Sequence, residues 1–224
     1  NGTVQVEING TINAGGTVTI NAENQITSSA FKAVAGSAGF IGLGAAVAYM
    51  DVTGTTKVLI GSTGSVNGTS GVNASAQLII TVNPTADGYA GGWPSAGMAA
   101  ARLKVTGTTI VEALNSSSLA SANGNVKLNA YQNITSTATT TAAGVGYGAT
   151  GSVTLALVEV GSTTKVASGA NVTASKGTYD ILAHSILTAT ANAYGLSAAL
   201  GGSVQAAIAR LTVKPVVLAS VTGG

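Results

Sequence analysis

Val18, Ile20 and Ala22 fall on every second position, and so do Val126, Leu128 and Ala130. Alternation at that period marks a strand with one buried face. Apolar runs at residues 47–50 and 153–158 are bounded by Gly, Asn, Ser and Thr, and the Thr- and Val-rich composition of such runs favours extended backbone. No stretch combines a helical period with caps, and each of the many interior glycines would cost a helix about 1 kcal/mol. The pattern predicts an all-β chain with Val18, Ile20, Val126 and Leu128 facing inward.

The pattern repeats. Residues 16–28 align without a gap on 124–136, and 101–105 on 209–213, both at a separation of 108. Val52-Thr-Gly-Thr-Thr56 recurs at 105–109 and, as Val-Gly-Ser-Thr-Thr, at 160–164. Gly44, Gly97, Gly151 and Gly202 step at similar intervals. The period is about 54 residues, and the 224 residues hold about four copies. Each copy runs from a Gly/Ala block through an apolar strand, the Thr-Thr motif, an Asn/Gly/Ser turn and an alternating strand back to glycine. Strands repeated at a fixed period without long linkers describe a solenoid, in which each coil covers its neighbour's edge. The predicted fold is therefore a parallel β-solenoid (β-helix), with residues 1–224 forming one continuous array and no visible caps. Its rival is a β-sandwich or barrel, suggested by the hairpin-like Asn-Gly and Asp87-Gly88 pairs. Asn13, Asn67, Asn123 and Asn171 are expected at turns, where asparagine tolerates left-handed backbone and can stack in ladders.

A 54-residue period allows one wide coil per repeat or about three narrow ones. The position before the Thr motif is Asp51, Lys104, Glu159 and Thr212 in successive copies, alternating in sign over the first three. In a wide coil these side chains lie about 5 Å apart and attract; in narrow coils they are about 15 Å apart and screened. No shorter repetition is visible inside the unit. Both observations favour the wide coil.

Composition narrows the function classes. Charged residues make up 7% of the chain and aromatics 4%, against 46% hydrophobic types, the reverse of a disordered composition. The core must be built from small and β-branched side chains. Nine bases and seven acids are scattered without a run, which leaves a nucleic-acid partner without a phosphate-tracking surface. With no cysteine there are no disulfides or thiolate metal sites. The charge-free stretches 33–50 and 187–209 approach membrane-span length. They are mostly Gly, Ala, Ser and Thr and recur at matching places in the repeat, so they read as buried strands and no membrane span is expected.

Candidate chemistry is sparse. Gly146-Tyr-Gly-Ala-Thr-Gly151 fits G-x-G-x-x-G, but a strand pattern follows where a nucleotide site needs a helix. Ser29…Lys32 and Ser162…Lys165 fit S-x-x-K without the partner motifs that acyl-enzyme chemistry requires. Lys165 is the repeat counterpart of Lys57. The lone His184 and Asp180 flank a strand with no elbow serine. The seven acids never cluster as calcium ligands do, and the Asn-x-Ser/Thr triplets follow from composition. No catalytic, cofactor-binding or metal-binding residue is identified, and no cofactor is expected.

The order of elements resembles the repeats of leukotoxin-like filamentous adhesins, related in style to filamentous-haemagglutinin passengers exported by two-partner secretion. The best matches are Gly42-Leu-Gly-Ala-Ala-Val-Ala48, Thr55-Thr-Lys-Val-Leu-Ile-Gly61 and Val172-Thr-Ala-Ser-Lys-Gly177. That resemblance implies an exported right-handed parallel β-helix forming a long stalk or fibre, and it brings no catalytic residues. Pro94 and Pro215 depart from the pattern; each lacks an amide donor, so irregular coils are expected there. The functional expectation is an extracellular, cell-surface rod or filament that contributes adhesion or cohesion. Because the chain begins and ends inside the repeat, its partners would be neighbouring repeats or further copies end to end, and a host or neighbouring-cell surface. The alternatives are an ice-binding solenoid with Thr ladders and, less favoured, a carbohydrate-active β-helix enzyme.

Overall fold

The computed structural model describes residues 1–28 and 31–222. Within them every element is a strand and every strand pairing is parallel. The chain is a parallel β-solenoid. The first coil contains β1 (Gly2–Ile8), β2 (Thr11–Ala14), β3 (Thr17–Ser28) and β4 (Lys32–Ala38). The second contains β5 (Gly42–Ile60), β6 (Ser65–Gly68), β7 (Gly71–Val82) and β8 (Thr85–Gly91). The third contains β9 (Ser95–Ala113), β10 (Ser118–Ser121) and β11 (Val126–Gly146), and the fourth β12 (Ala149–Ser168), β13 (Asn171–Ala174) and β14 (Tyr179–Ala199). Strand β15 (Gly202–Val221) opens a fifth.

Stacking makes three sheets. A front face runs β1-β5-β9-β12-β15, a short side face runs β2-β6-β10-β13, and a back face joins β3, β7, β11 and β14 together with β4 and β8. Asp87-Gly88 lies inside β8 and forms no hairpin, so the sandwich alternative fails. Asp51 stands opposite Lys104, and Lys104 opposite Glu159, as partners in adjacent strands. One repeat is one wide coil.

The prolines leave this stacking intact. Pro94 lies in the turn before β9, joined to Trp93 by a cis peptide bond. Pro215 holds register opposite Ser162, so its missing donor does not break the pairing of β15 with β12. Pro84 is the one that interrupts a strand. The back face breaks between β7 and β8 at Asn83-Pro84, whereas β11 and β14 cross the same place unbroken for 21 residues.

The inward positions follow the alternation: Val18, Ile20, Val126 and Leu128 are all buried. Side-chain size tapers across the coil. Where all three faces meet, the core holds Val58, Ile60, Val66, Leu119 and Leu128. Midway, where only front and back oppose each other, it holds Leu78, Ile80, Leu103 and Ile134. Towards the far edge the inward positions shrink to alanine at 99, 101, 138 and 142, and finally to glycine.

At that edge the two sheets meet backbone to backbone. A Cβ on Gly44 would overlap the carbonyl of Tyr89, one on Gly88 the carbonyl of Met98, and one on Gly97 the carbonyl of Ala143. The register corrects the expected glycine series. Gly44 stacks on Gly97, but the next rungs are Ser152 and Gln205, while Gly151 pairs with Ala96 and Gly202 with Ala149. A displacement of one residue moves a side chain to the other face, and Gly151 accordingly points outward with room for a Cβ.

Candidate functional site

The chemistry-bearing residues are dispersed. Ser162 is inside the solenoid, 3% exposed, where its hydroxyl donates to Gln132 Oε1 and lies 3.1 Å from Ser185 Oγ. Asp180 and His184 are outside on the back face, four residues apart along β14, a separation of about 13 Å at strand rise. His184 packs edge-on against Tyr131 at 5.6 Å between ring centroids, and Asp180 accepts a 3.0 Å bond from Thr178 Oγ1. No nucleophile meets a base among these three.

The G-x-G-x-x-G segment is the turn from β11 to β12, with no helix after it. Two of its glycines serve packing: a Cβ on Gly146 would overlap the carbonyl of Gly92, and one on Gly148 would press on the Trp93 ring. Of the S-x-x-K pairs, Ser29 lies outside the described residues. Lys165 does sit one coil beyond the level of Glu112 with Lys57 on the other side. Both ammonium groups reach that carboxylate, at 3.3 and 3.8 Å, so one glutamate ties three coils. Among the described residues no group of three His, Cys, Asp or Glu could hold a metal ion.

Two polar features run along the axis. The inner Thr column is Thr56, Thr109 and Thr164, flanked by Val4 and Val217 on the rungs beyond. Thr164 donates to Gln132 Oε1 at 2.9 Å, while the hydroxyls of Thr56 and Thr109 and the Gln132 amide nitrogen lack partners. Adjacent threonines therefore point to opposite sides, and Thr55-Thr56 cannot present a double ladder to solvent. An outward T-x-T pair exists on two rungs, Thr53/Thr55 and Thr106/Thr108, and the next rungs carry Gly161 and Lys214 in place of the first threonine.

The Asn expectation is met on one step only. Asn67 Nδ2 donates to Asn13 Oδ1 at 2.7 Å, but the following rung is Ala120, and Asn171 stacks on Ser118 instead. Asn13, Asn67 and Asn171 lie in the short strands β2, β6 and β13 and not at turns, and the one non-glycine residue with positive φ among those described is Ser116, at 72°. The alternating charges stack in register as expected. The ion pairs, however, run to other partners: Glu159 meets Lys214 at 3.9 Å, and no pair within 4.0 Å joins Asp51 to Lys104.

What the coil concentrates is apolar surface. The outward positions of the front face beside the thin edge are Leu43, Ala45 and Val47, then Ala96, Met98 and Ala100 on the next rung. Gly151, Val153 and Leu155 continue the same columns. The turns at the extreme edge carry Phe40, Trp93, Tyr147 and Leu200, which are 82%, 56%, 70% and 85% exposed. Sequence reading took the charge-free stretches for buried strands, but their alternate positions face outward, and it missed this ridge. Its signal was one large apolar residue in the glycine-rich turn that closes each copy. No family model, no curated protein and no solved structure matches this chain.

Proposed function

We propose that this chain is a structural, adhesive segment of an extracellular surface protein, a β-solenoid that builds a rod, stalk or filament and performs no catalysis. One observation carries the reading: three parallel ladders run the length of the axis, while the groups that could do chemistry are separated by the wall of the coil. A wide coil held by backbone bonds along its axis resists extension and bending, which suits a spacer or stalk. The resemblance of the repeat to leukotoxin-like filamentous adhesins supports export, the cell surface and partnership with neighbouring repeats end to end. An outward T-x-T pair on two rungs gives the ice-binding alternative too small a regular face.

Negative-stain microscopy of the native material tests the reading. Thin rods or fibres are expected, with antibody to the chain labelling intact cells. Compact isolated particles, or label confined to broken cells, would overturn it.

A further inference from the structure

The thin edge of the solenoid is a charge-free apolar ridge. Residues 33–50, 88–101, 128–158 and 185–209 contain no Asp, Glu, Lys or Arg, and these are the parts of the four coils that reach the edge. The charged groups sit on the thicker part of the cross-section, apart from the Lys32–Asp87 pair at the root of the edge. Along the extreme edge Phe40, Trp93, Tyr147 and Leu200 occupy successive coil turns, a line about 14 Å long at strand spacing. They flank a groove of about 730 Å³ whose floor includes Gly92, Val145 and Ala198.

In the first two turns the backbone at this edge is already paired. Gly39 N donates to Gly91 O at 3.1 Å, Gly92 N to Val145 O at 3.2 Å, Trp93 N to Phe40 O at 2.7 Å and Gly42 N to Pro94 O at 3.1 Å. Burying polar backbone away from water is expensive only when it is unpaired. At those two turns ridge and backbone can therefore leave water together at little polar cost.

We propose that this ridge seats in a lipid surface, with the solenoid axis lying along the membrane plane and the charged thick edge in water. Side-chain chemistry selects the occupant. An exposed, charge-free line of Phe, Trp, Tyr and Leu suits the interface between headgroups and acyl chains, where amphipathic rings are enriched and apolar faces sink about 5–10 Å. A second copy docking on the same apolar face is the competing occupant, distinguished by its dependence on protein concentration.

Trp93 is the only tryptophan and serves as the reporter. Phosphatidylcholine vesicles are expected to shift its emission to the blue and to carry the protein upward on flotation. The affinity should be the same at low and high salt, since no charge lies on the ridge. Replacing Phe40, Tyr147 and Leu200 together by Ser should weaken partition at least tenfold while the strand circular dichroism stays unchanged. Three results would overturn the proposal: no partition by the folded protein, partition abolished by salt, or a Trp93 shift that grows with protein concentration in the absence of lipid. The last would make the occupant a second copy. None of these outcomes bears on whether the chain forms a rod, so this inference and the structural reading fail separately.

Discussion

The thick and thin ends of each coil solve the same packing problem in opposite ways. At the thick end three sheets enclose branched side chains, and stability comes from the apolar volume they fill: Ile60, Leu119 and Leu128 are fully buried. At the thin end there is no volume to fill. Front and back sheets approach until only glycine fits between them, as at Gly44, Gly88 and Gly97. The thick end should therefore be sensitive to removal of atoms and the thin end to their addition. Tapering from one to the other is how a 54-residue coil closes with so few large residues.

Truncation at the thick end should have the largest effect. Leu128→Ala empties a site enclosed on three sides and is expected to lower stability by about 3 kcal/mol, within the range for buried leucines. Ala142→Gly, a truncation near the thin end, should cost no more than about 1 kcal/mol. Chemical denaturation monitored by circular dichroism measures both. Equal losses would show that the ends do not differ in kind.

Addition reverses the ranking. Gly44→Ala places a Cβ against the Tyr89 carbonyl, a backbone atom that cannot rotate aside, and should cost about 2–3 kcal/mol. Gly36→Ala, on the outward side of the same edge with nothing within 4 Å, should be neutral or stabilising by up to about 1 kcal/mol. Tolerance of alanine at Gly44 would mean that the sheets can separate there, and the close-packed thin edge would be wrong.

Which of these features were legible beforehand follows from the physics of each. The alternation of Val18, Ile20, Val126 and Leu128 reports burial directly, and the matching 108-residue offsets report stacking register, so fold and coil width could be read. The glycine series could not, because Gly151 and Gly44 look alike in sequence. Only the ladder tells that one faces outward and the other inward. The asparagine ladder failed for a related reason: stacking depends on what the next rung holds, and Ala120 ends it. The ridge went unseen because Phe40, Trp93, Tyr147 and Leu200 share no residue type, only a place in the coil.

Between the two ends lies the buried glutamine, which tests how the middle tolerates polarity. Gln132 occupies the column of Leu78 and faces Gly107, where a Cβ would run into it. Its oxygen accepts from Ser162 and Thr164 while its amide nitrogen has no partner. Gln132→Leu alone should be close to neutral, since it removes one unpaired donor and orphans another hydroxyl. Combined with Thr164→Val, which matches Val4 and Val217 in the same column, it should raise stability by about 1 kcal/mol, because both partners are then replaced by apolar groups of similar shape. A loss in the double variant would assign the glutamine a structural role that the packing does not reveal.

The smallest effect is alkaline, and it places one titrating group at each end. At the thin end, hydrogen bonding to Asp87 at 2.8 Å, reinforced by its charge, raises the pKa of Lys32 above its ordinary value. At the thick end, burial raises that of Tyr179, whose hydroxyl has no hydrogen-bond partner within the structure. In both cases the folded chain holds its proton to higher pH than the unfolded chain. Where the folded state binds more protons, stability falls as pH rises. The stabilisation is therefore complete below pH 10 and declines above it, through the raised pKa of each group. Lys32 is largely exposed, so its share is reduced by solvent screening. Melting temperatures measured from neutral pH to above pH 10 should show the decline. Tyr179→Phe should flatten the slope more than Lys32→Gln does, and an equal response to both would place the thin-end ion pair in a drier setting than its exposure indicates.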